Sequence, residues 1–136
     1  MPYVVGTVLS VVVAVFARYV GLDRDRAFYP TVMIVIGLYY VLFAAMAGSV
    51  HLIVLESAFM AVFATAAVAG FKSSMWLVVA ALAGHGVFDV LRGHVLKNPG
   101  VPDFWPAFCS TYDIGAAAVL AWLLRRAPVS TIVRPR

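Results

Sequence analysis

Glu56, Asp89 and Asp113 are three of the six acidic residues in this 136-residue chain, and each stands inside a long apolar run. A charged side chain at the centre of a bilayer costs roughly 2.5–3.5 kcal/mol on insertion scales, so an ionisable residue inside such a run marks function by default. The spacing around these residues concentrates further chemistry. His85, Asp89 and Arg92 stand at i, i+4 and i+7, one stripe on one helix face. Cys109, Tyr112 and Asp113 share a face by the same rule, Glu56 projects with Leu52 and Met60, and Tyr40 with Gly37 and Ala44.

Imidazole and carboxylates contributed by several helices can hold a divalent metal ion, and the candidate ligands are His85, Asp89, Glu56 and Asp113. Such an ion would acidify a bound water. Without an ion, a desolvated carboxylate has a raised pKa and acts as general acid or base. The expected catalytic set is therefore Glu56 and Asp89 as acid, base or ligand, His85 as base or ligand, and Asp113 as ligand or orienter. Tyr40, Arg92 and Tyr112 complete the wall as substrate-binding groups, with Arg92 neutralising an anionic portion.

Composition dictates what must position these groups. The chain is 64% hydrophobic and only 12% charged, with a mean hydropathy of +0.99. Soluble domains carry about 25% charged residues. The apolar surface exceeds what a water-soluble core could hide, which predicts an all-α integral membrane protein. At about 20 residues per span there is room for about five helices with short connections and one polytopic membrane domain.

Apolarity and breakers place the spans at about 3–20, 31–47, 50–70, 75–94 and 104–124. The run from Thr31 to Phe71 would be roughly 60 Å long as one helix, twice a bilayer core, so it folds back near Gly48. In the N-terminal run, Gly6, Ser10 and Ala14 form a small-residue face for close packing, as do Gly115 to Ala118 in the C-terminal one. Met1 to Gly6 lacks the basic region of a secretory signal, so that run is read as a retained span. The segment Arg125–Arg136 is read as a basic, frayed tail.

Orientation follows from lysine and arginine. Arg18, Arg24, Arg26, Lys72, Arg125, Arg126, Arg134 and Arg136 fall on one side, and Arg92 and Lys97 on the other. The bias predicts N-out/C-in in a plasma-type (bacterial inner) membrane. The net charge of +4 thus serves orientation and lipid contact, and nucleic acid is excluded as a partner. In this frame Glu56, Asp89 and Asp113 all lie roughly 7–13 Å below the outer boundary. The Pro- and Gly-containing loop Val95–Pro106 lies over that layer as a lid.

Three readings are open. One is a membrane-embedded enzyme or ligand-binding protein that acts on an apolar or amphipathic molecule by metal or acid–base chemistry. Another is a proton- or cation-coupled transporter or channel subunit, since intramembrane acid and His chains relay protons. The third is a structural subunit of a membrane complex. There Asp89 pairs with Arg92 in its own helix and a protonated Glu56 bonds to Tyr40 or His85. A chain this short makes a thin bundle, so a homo-oligomer is expected. His51 is read as an interfacial polar group, His94 as a cap at the end of the fourth span, Asp103 as a helix cap, and Cys109 as an inert small residue with a ligand role left open by Asp113 one turn away.

Overall fold

The computed structural model describes residues 1–126. Arg134, Arg136 and the rest of the expected tail beyond Arg126 lie outside the described residues. The chain forms helices α1 (Pro2–Val20), α2 (Phe28–Met46), α3 (Val50–Lys72), α4 (Met75–Val95) and α5 (Trp105–Arg126), with a short 3-10 turn at Leu22–Arg24. All 5 are long and apolar enough to cross a membrane.

Local chemistry fixes the helix ends. α2 starts at Phe28 rather than Thr31, and it accommodates Pro30 in its first turn, where a missing N–H is harmless. The Ser49 hydroxyl accepts from the Leu52 N–H at the start of α3, and Ser74 accepts from the Trp76 N–H at the start of α4. Both satisfy backbone donors that a helix start leaves orphaned. At the other end of α3, the Arg26 guanidinium donates to the carbonyls of Gly70, Phe71 and Ser73, the closest at 2.9 Å. A cation there meets the negative end of the helix dipole and ties the start of α2 to the end of α3. Asp103 is exposed, and α5 begins beyond it at Trp105, whose N–H donates to the Pro102 carbonyl.

The helices run antiparallel in turn. α2 packs on α3, α3 on α4 and α4 on α5, while α1 lies on the outer side of α5. Met33, Val78 and Leu82 are fully buried in the apolar core. Large apolar side chains remain exposed on every helix, including Val4, Val8, Val12, Val15 and Phe16 on α1 and Val54 and Val62 on α3. Exposed apolar surface of this extent is compatible with a membrane protein. Against that background α3 stands out, because the few residues it buries are Glu56, Ala67 and Gly70.

The expected small-residue faces meet each other. A Cβ at Gly6 would lie 2.3 Å from the Phe108 carbonyl oxygen, and one at Gly115 would lie 2.2 Å from the Ser10 hydroxyl. The α1–α5 contact is thus set by backbone approach, the small-residue mode of helix association. Because the obstacle at Gly6 is backbone, a side chain there must push the helices apart. Gly6→Val is expected to lower stability by about 1–3 kcal/mol, the usual range for overpacking, as measured by thermal unfolding in detergent. An unchanged melting temperature would show that α1 does not dock on α5 in this way.

Candidate functional site

The α4 stripe is buried as its spacing requires: His85, Asp89 and Arg92 are 2%, 1% and 3% exposed. Gly86 brings α5 against this stripe. A Cβ on it would sit 2.9 Å from the Ser110 carbonyl oxygen and 3.3 Å from the Asp113 Cβ, so a larger residue would hold the helices apart. At this distance His85 Nδ1 reaches Asp113 Oδ2 at 2.7 Å. An ionised carboxylate accepts only, so with Asp113 ionised Nδ1 carries the proton. The same nitrogen lies 3.5 Å from Asp89 Oδ2. Cys109, one turn before Asp113 on α5, places its thiol 3.8 Å from Asp113 Oδ2. The Tyr40 hydroxyl on α2 donates to Asp89 Oδ1 at 2.6 Å. On the α3 side the Phe63 ring meets the His85 imidazole edge-on, with centroids 4.8 Å apart, and closes the site with hydrocarbon.

The other half of the network lies toward the loop between α4 and α5. Arg92 forms an ion pair with Glu56 across to α3. Its guanidinium carbon also lies 3.9 Å above the centre of the Tyr40 ring, a cation–π contact. Asn98, from the loop, donates to Glu56 Oε1 at 3.1 Å and to the Tyr40 carbonyl at 3.4 Å, and its own Oδ1 accepts from the Gly100 N–H. Tyr40 joins the two halves, with its ring under Arg92 and its hydroxyl on Asp89.

The sequence-derived residues therefore divide. Tyr40, Glu56, His85, Asp89, Arg92 and Asp113 fall into one connected buried network. Glu56 nevertheless stands apart from the other proposed ligands, held by Arg92 and Asn98. The group whose ligand atoms all lie within 4.8 Å of one another is His85, Asp89, Cys109 and Asp113. Cys109 thus occupies the place that spacing alone gave to Glu56. The in-helix pairing of Asp89 with Arg92 is not what the structure contains. Asp89 turns toward α2 to accept from the Tyr40 hydroxyl and lies beside His85 of its own helix, while Arg92, nearly a turn on, reaches Glu56 on α3. Nor does Glu56 bond to Tyr40 or His85, because Arg92 and Asn98 hold it.

Tyr112 is half-buried and lines a groove between α1, α2 and α5 together with Cys109, and among the described residues its hydroxyl makes no hydrogen bond to the carboxylates. His51 and His94 are exposed. Asn98 was not foreseen; the only signal was its place in a loop drawn over the carboxylate layer.

Charge sharpens the picture. Arg92 balances Glu56, which leaves Asp89 and Asp113 facing one imidazole. Asp89 Oδ2 and Asp113 Oδ1 are buried and have no hydrogen-bond partner among the described residues. Buried charges are normally paired, hydrogen-bonded or metal-bound. The arrangement can hold a cation among His85, Asp89, Cys109 and Asp113, or a mobile proton along Tyr40, Asp89, His85 and Asp113.

Comparison with known proteins finds no matching family model, no similar curated protein and no similar solved structure.

The ion pair generates a prediction. Glu56→Gln leaves Arg92 charged and buried without its counter-ion, and should destabilise the protein by about 3–5 kcal/mol, the cost of breaking a buried pair on one side. Replacing both partners, as Glu56→Gln with Arg92→Met, should recover most of that loss. A double-mutant cycle by detergent thermal denaturation checks this, and additive losses would show that the two side chains do not interact.

Proposed function

We propose that this chain is an integral protein of a plasma-type (bacterial inner) membrane, N-terminus outside and C-terminus inside. In its outer half α4 and α5 bind one divalent transition-metal ion and use it on an apolar or amphipathic molecule. The observation that carries this reading is the pairing of two facing i, i+4 motifs, His85 with Asp89 and Cys109 with Asp113. Their ligand atoms lie within 4.8 Å of one another, and each aspartate keeps one buried oxygen without a hydrogen-bond partner among the described residues.

The ligand set favours zinc or a neighbouring first-row ion over magnesium or calcium, which take oxygen ligands. A divalent ion also eases the charge problem, since its two positive charges offset the two aspartates that Arg92 does not balance. When bound, it would supply a Lewis acid and an acidified water. Tyr40 would act one layer out, holding Asp89 in place through its hydroxyl. With no ion, His85 between two carboxylates is placed for acid–base work.

Entry from the lipid side is supported by a groove of about 330 Å³ between α1, α2 and α5. Val13, Val32 and Ile36 line it together with Trp105, Tyr112 and Cys109. Cys109 is thus both in the groove wall and against Asp113, so a hydrocarbon chain in the groove brings its polar end toward the ligands. The transport reading has less behind it. Toward the basic end the interior is packed with Met33, Val78 and Leu82, each fully buried, and the core residues there include no charged side chain, Tyr29 being the polar member.

Orientation rests on Arg18, Arg24, Arg26, Lys72 and Arg126, which the antiparallel order of the helices gathers at one end. The opposite end presents Lys97, since Arg92 is buried in its ion pair and is no interfacial anchor.

Elemental analysis of the detergent-solubilised protein, purified without chelator, tests the reading. One transition-metal ion per chain is expected, lost in Asp89→Asn and in Asp113→Asn and kept when Glu56 and Arg92 are replaced together. The ion should also raise the melting temperature of metal-stripped protein, because it binds the folded state. Metal-free protein that neither takes up nor is stabilised by zinc, cobalt or manganese would overturn the metal site and leave the acid–base alternative at His85.

A further inference from the structure

We infer that the basic end of the bundle carries a site for one anionic phospholipid, its acyl chain in a groove between α1 and α5 and its phosphate among the guanidinium groups of Arg18, Arg24 and Arg126. The inference rests on the membrane-spanning reading above and is independent of the metal.

Two cavities meet there. The first, of about 700 Å³, runs between α1 and α5 along Val11, Ala14, Val15, Ala118 and Val119. Its wall is hydrocarbon apart from Arg18 and Asp23 at one end and the rings of Tyr19 and Trp122. The second, of about 560 Å³, lies beside it at the bundle end and shares Arg18, Asp23, Trp122 and Leu123. Arg18, Arg24, Arg26 and Arg126 face it against Asp23 and Asp25, so positive charge is in excess. A hydrocarbon slot that opens into a cationic pocket has the division of an amphiphile with an anionic head.

The partners in the pocket make the assignment specific. Arg26 is committed to the end of α3. Arg18 is not: its side chain is 68% exposed and touches Asp23 at 3.4 Å. Arg126 stacks on the Trp122 ring at 4.4 Å, which holds its guanidinium beside the slot. Tyr29, in the same wall, is only 5% exposed. Its hydroxyl is buried and has no partner among the described residues. A phosphate oxygen would accept from it. Asp23 Oδ1 is likewise buried without a partner. It accepts but does not donate, so it suits a headgroup that carries a hydroxyl beside the phosphate, such as the glycerol of phosphatidylglycerol. A free anion would satisfy the arginines and leave the slot empty; a zwitterionic lipid would fill the slot and bring an ammonium into the cationic pocket. Placed at the inner boundary, the site also faces the leaflet surface whose anionic lipids attract basic groups.

Titration of the full chain in neutral detergent tests this, read by native mass spectrometry and by tryptophan fluorescence, with phosphatidylglycerol, phosphatidylcholine and inorganic phosphate as separate probes. Phosphatidylglycerol is expected to bind one to one and to perturb the fluorescence. Arg18→Gln should weaken it about fivefold, and the Arg18→Gln, Arg126→Gln pair about 25-fold, at about 1 kcal/mol per basic group near the surface. Ala118→Trp, at an exposed slot position, should abolish diacyl lipid binding while the melting temperature holds. Equal affinity for phosphatidylcholine, unchanged affinity in the double arginine variant, or full displacement by inorganic phosphate would each overturn the site. Retention of the protein in carbonate-washed membranes reports on the membrane-spanning reading separately.

Discussion

One imidazole cannot balance two ionised aspartates in a dry interior, and the surroundings of α4 are arranged around that imbalance. Burying an unpaired carboxylate is costly enough that the group would take up a proton, find a cation or collect hydrogen bonds. Asp89 has one strong bond from Tyr40, and Asp113 is bonded to His85, yet each keeps an oxygen with no hydrogen-bond partner among the described residues. The balance is completed by a proton or a metal ion, and either choice makes this layer responsive to what enters it. A network meant only to fasten helices would be better served by fully matched groups.

The ion pair of Arg92 with Glu56 keeps the second half of the network separate from the first. It leaves the aspartates free of a guanidinium that would otherwise lie within reach on the same helix. α3 buries very little else, so this pair also fixes the rotation of a helix whose remaining surface is apolar on nearly every side. Tyr40 then couples the halves through two different interactions, ring face to cation and hydroxyl to carboxylate. Replacing that ring by any aliphatic residue would lose both at once.

Part of this was legible in the sequence, for reasons that particular residues make plain. The stripe of His85, Asp89 and Arg92 follows from helical spacing alone, because i, i+4 and i+7 share a face whatever the neighbours do. The level of Glu56, Asp89 and Asp113 follows from the rise per residue once the helix ends are known. What spacing does not contain is the rotation of one helix against another. That rotation gave Glu56 to Arg92 and set the Cys109–Asp113 face of α5 against His85 and Asp89 of α4. Asn98 was hidden for another reason: an amide in an irregular loop has no periodicity, and its value comes from where the loop folds back. The small-residue faces around Gly6 and Gly115 were visible separately, but not that they face each other.

The position of α1 has a consequence for how the protein is made. α1 packs almost wholly on α5, and α2, α3 and α4 are all synthesised between them. During translation α1 therefore has no native partner until α5 emerges, whereas α2 gains a neighbour as soon as α3 follows and α3 to α5 each find one as they appear. Such an order of synthesis makes α1 the last piece to be assembled although it is made before the rest, and contact between distant segments is the slow kind. On the membrane-spanning reading proposed above, the valine-rich surface that α1 shows on its other faces lets it wait alone in lipid. The polar site, built by α2 to α5 and the loop before α5, can close before α1 arrives.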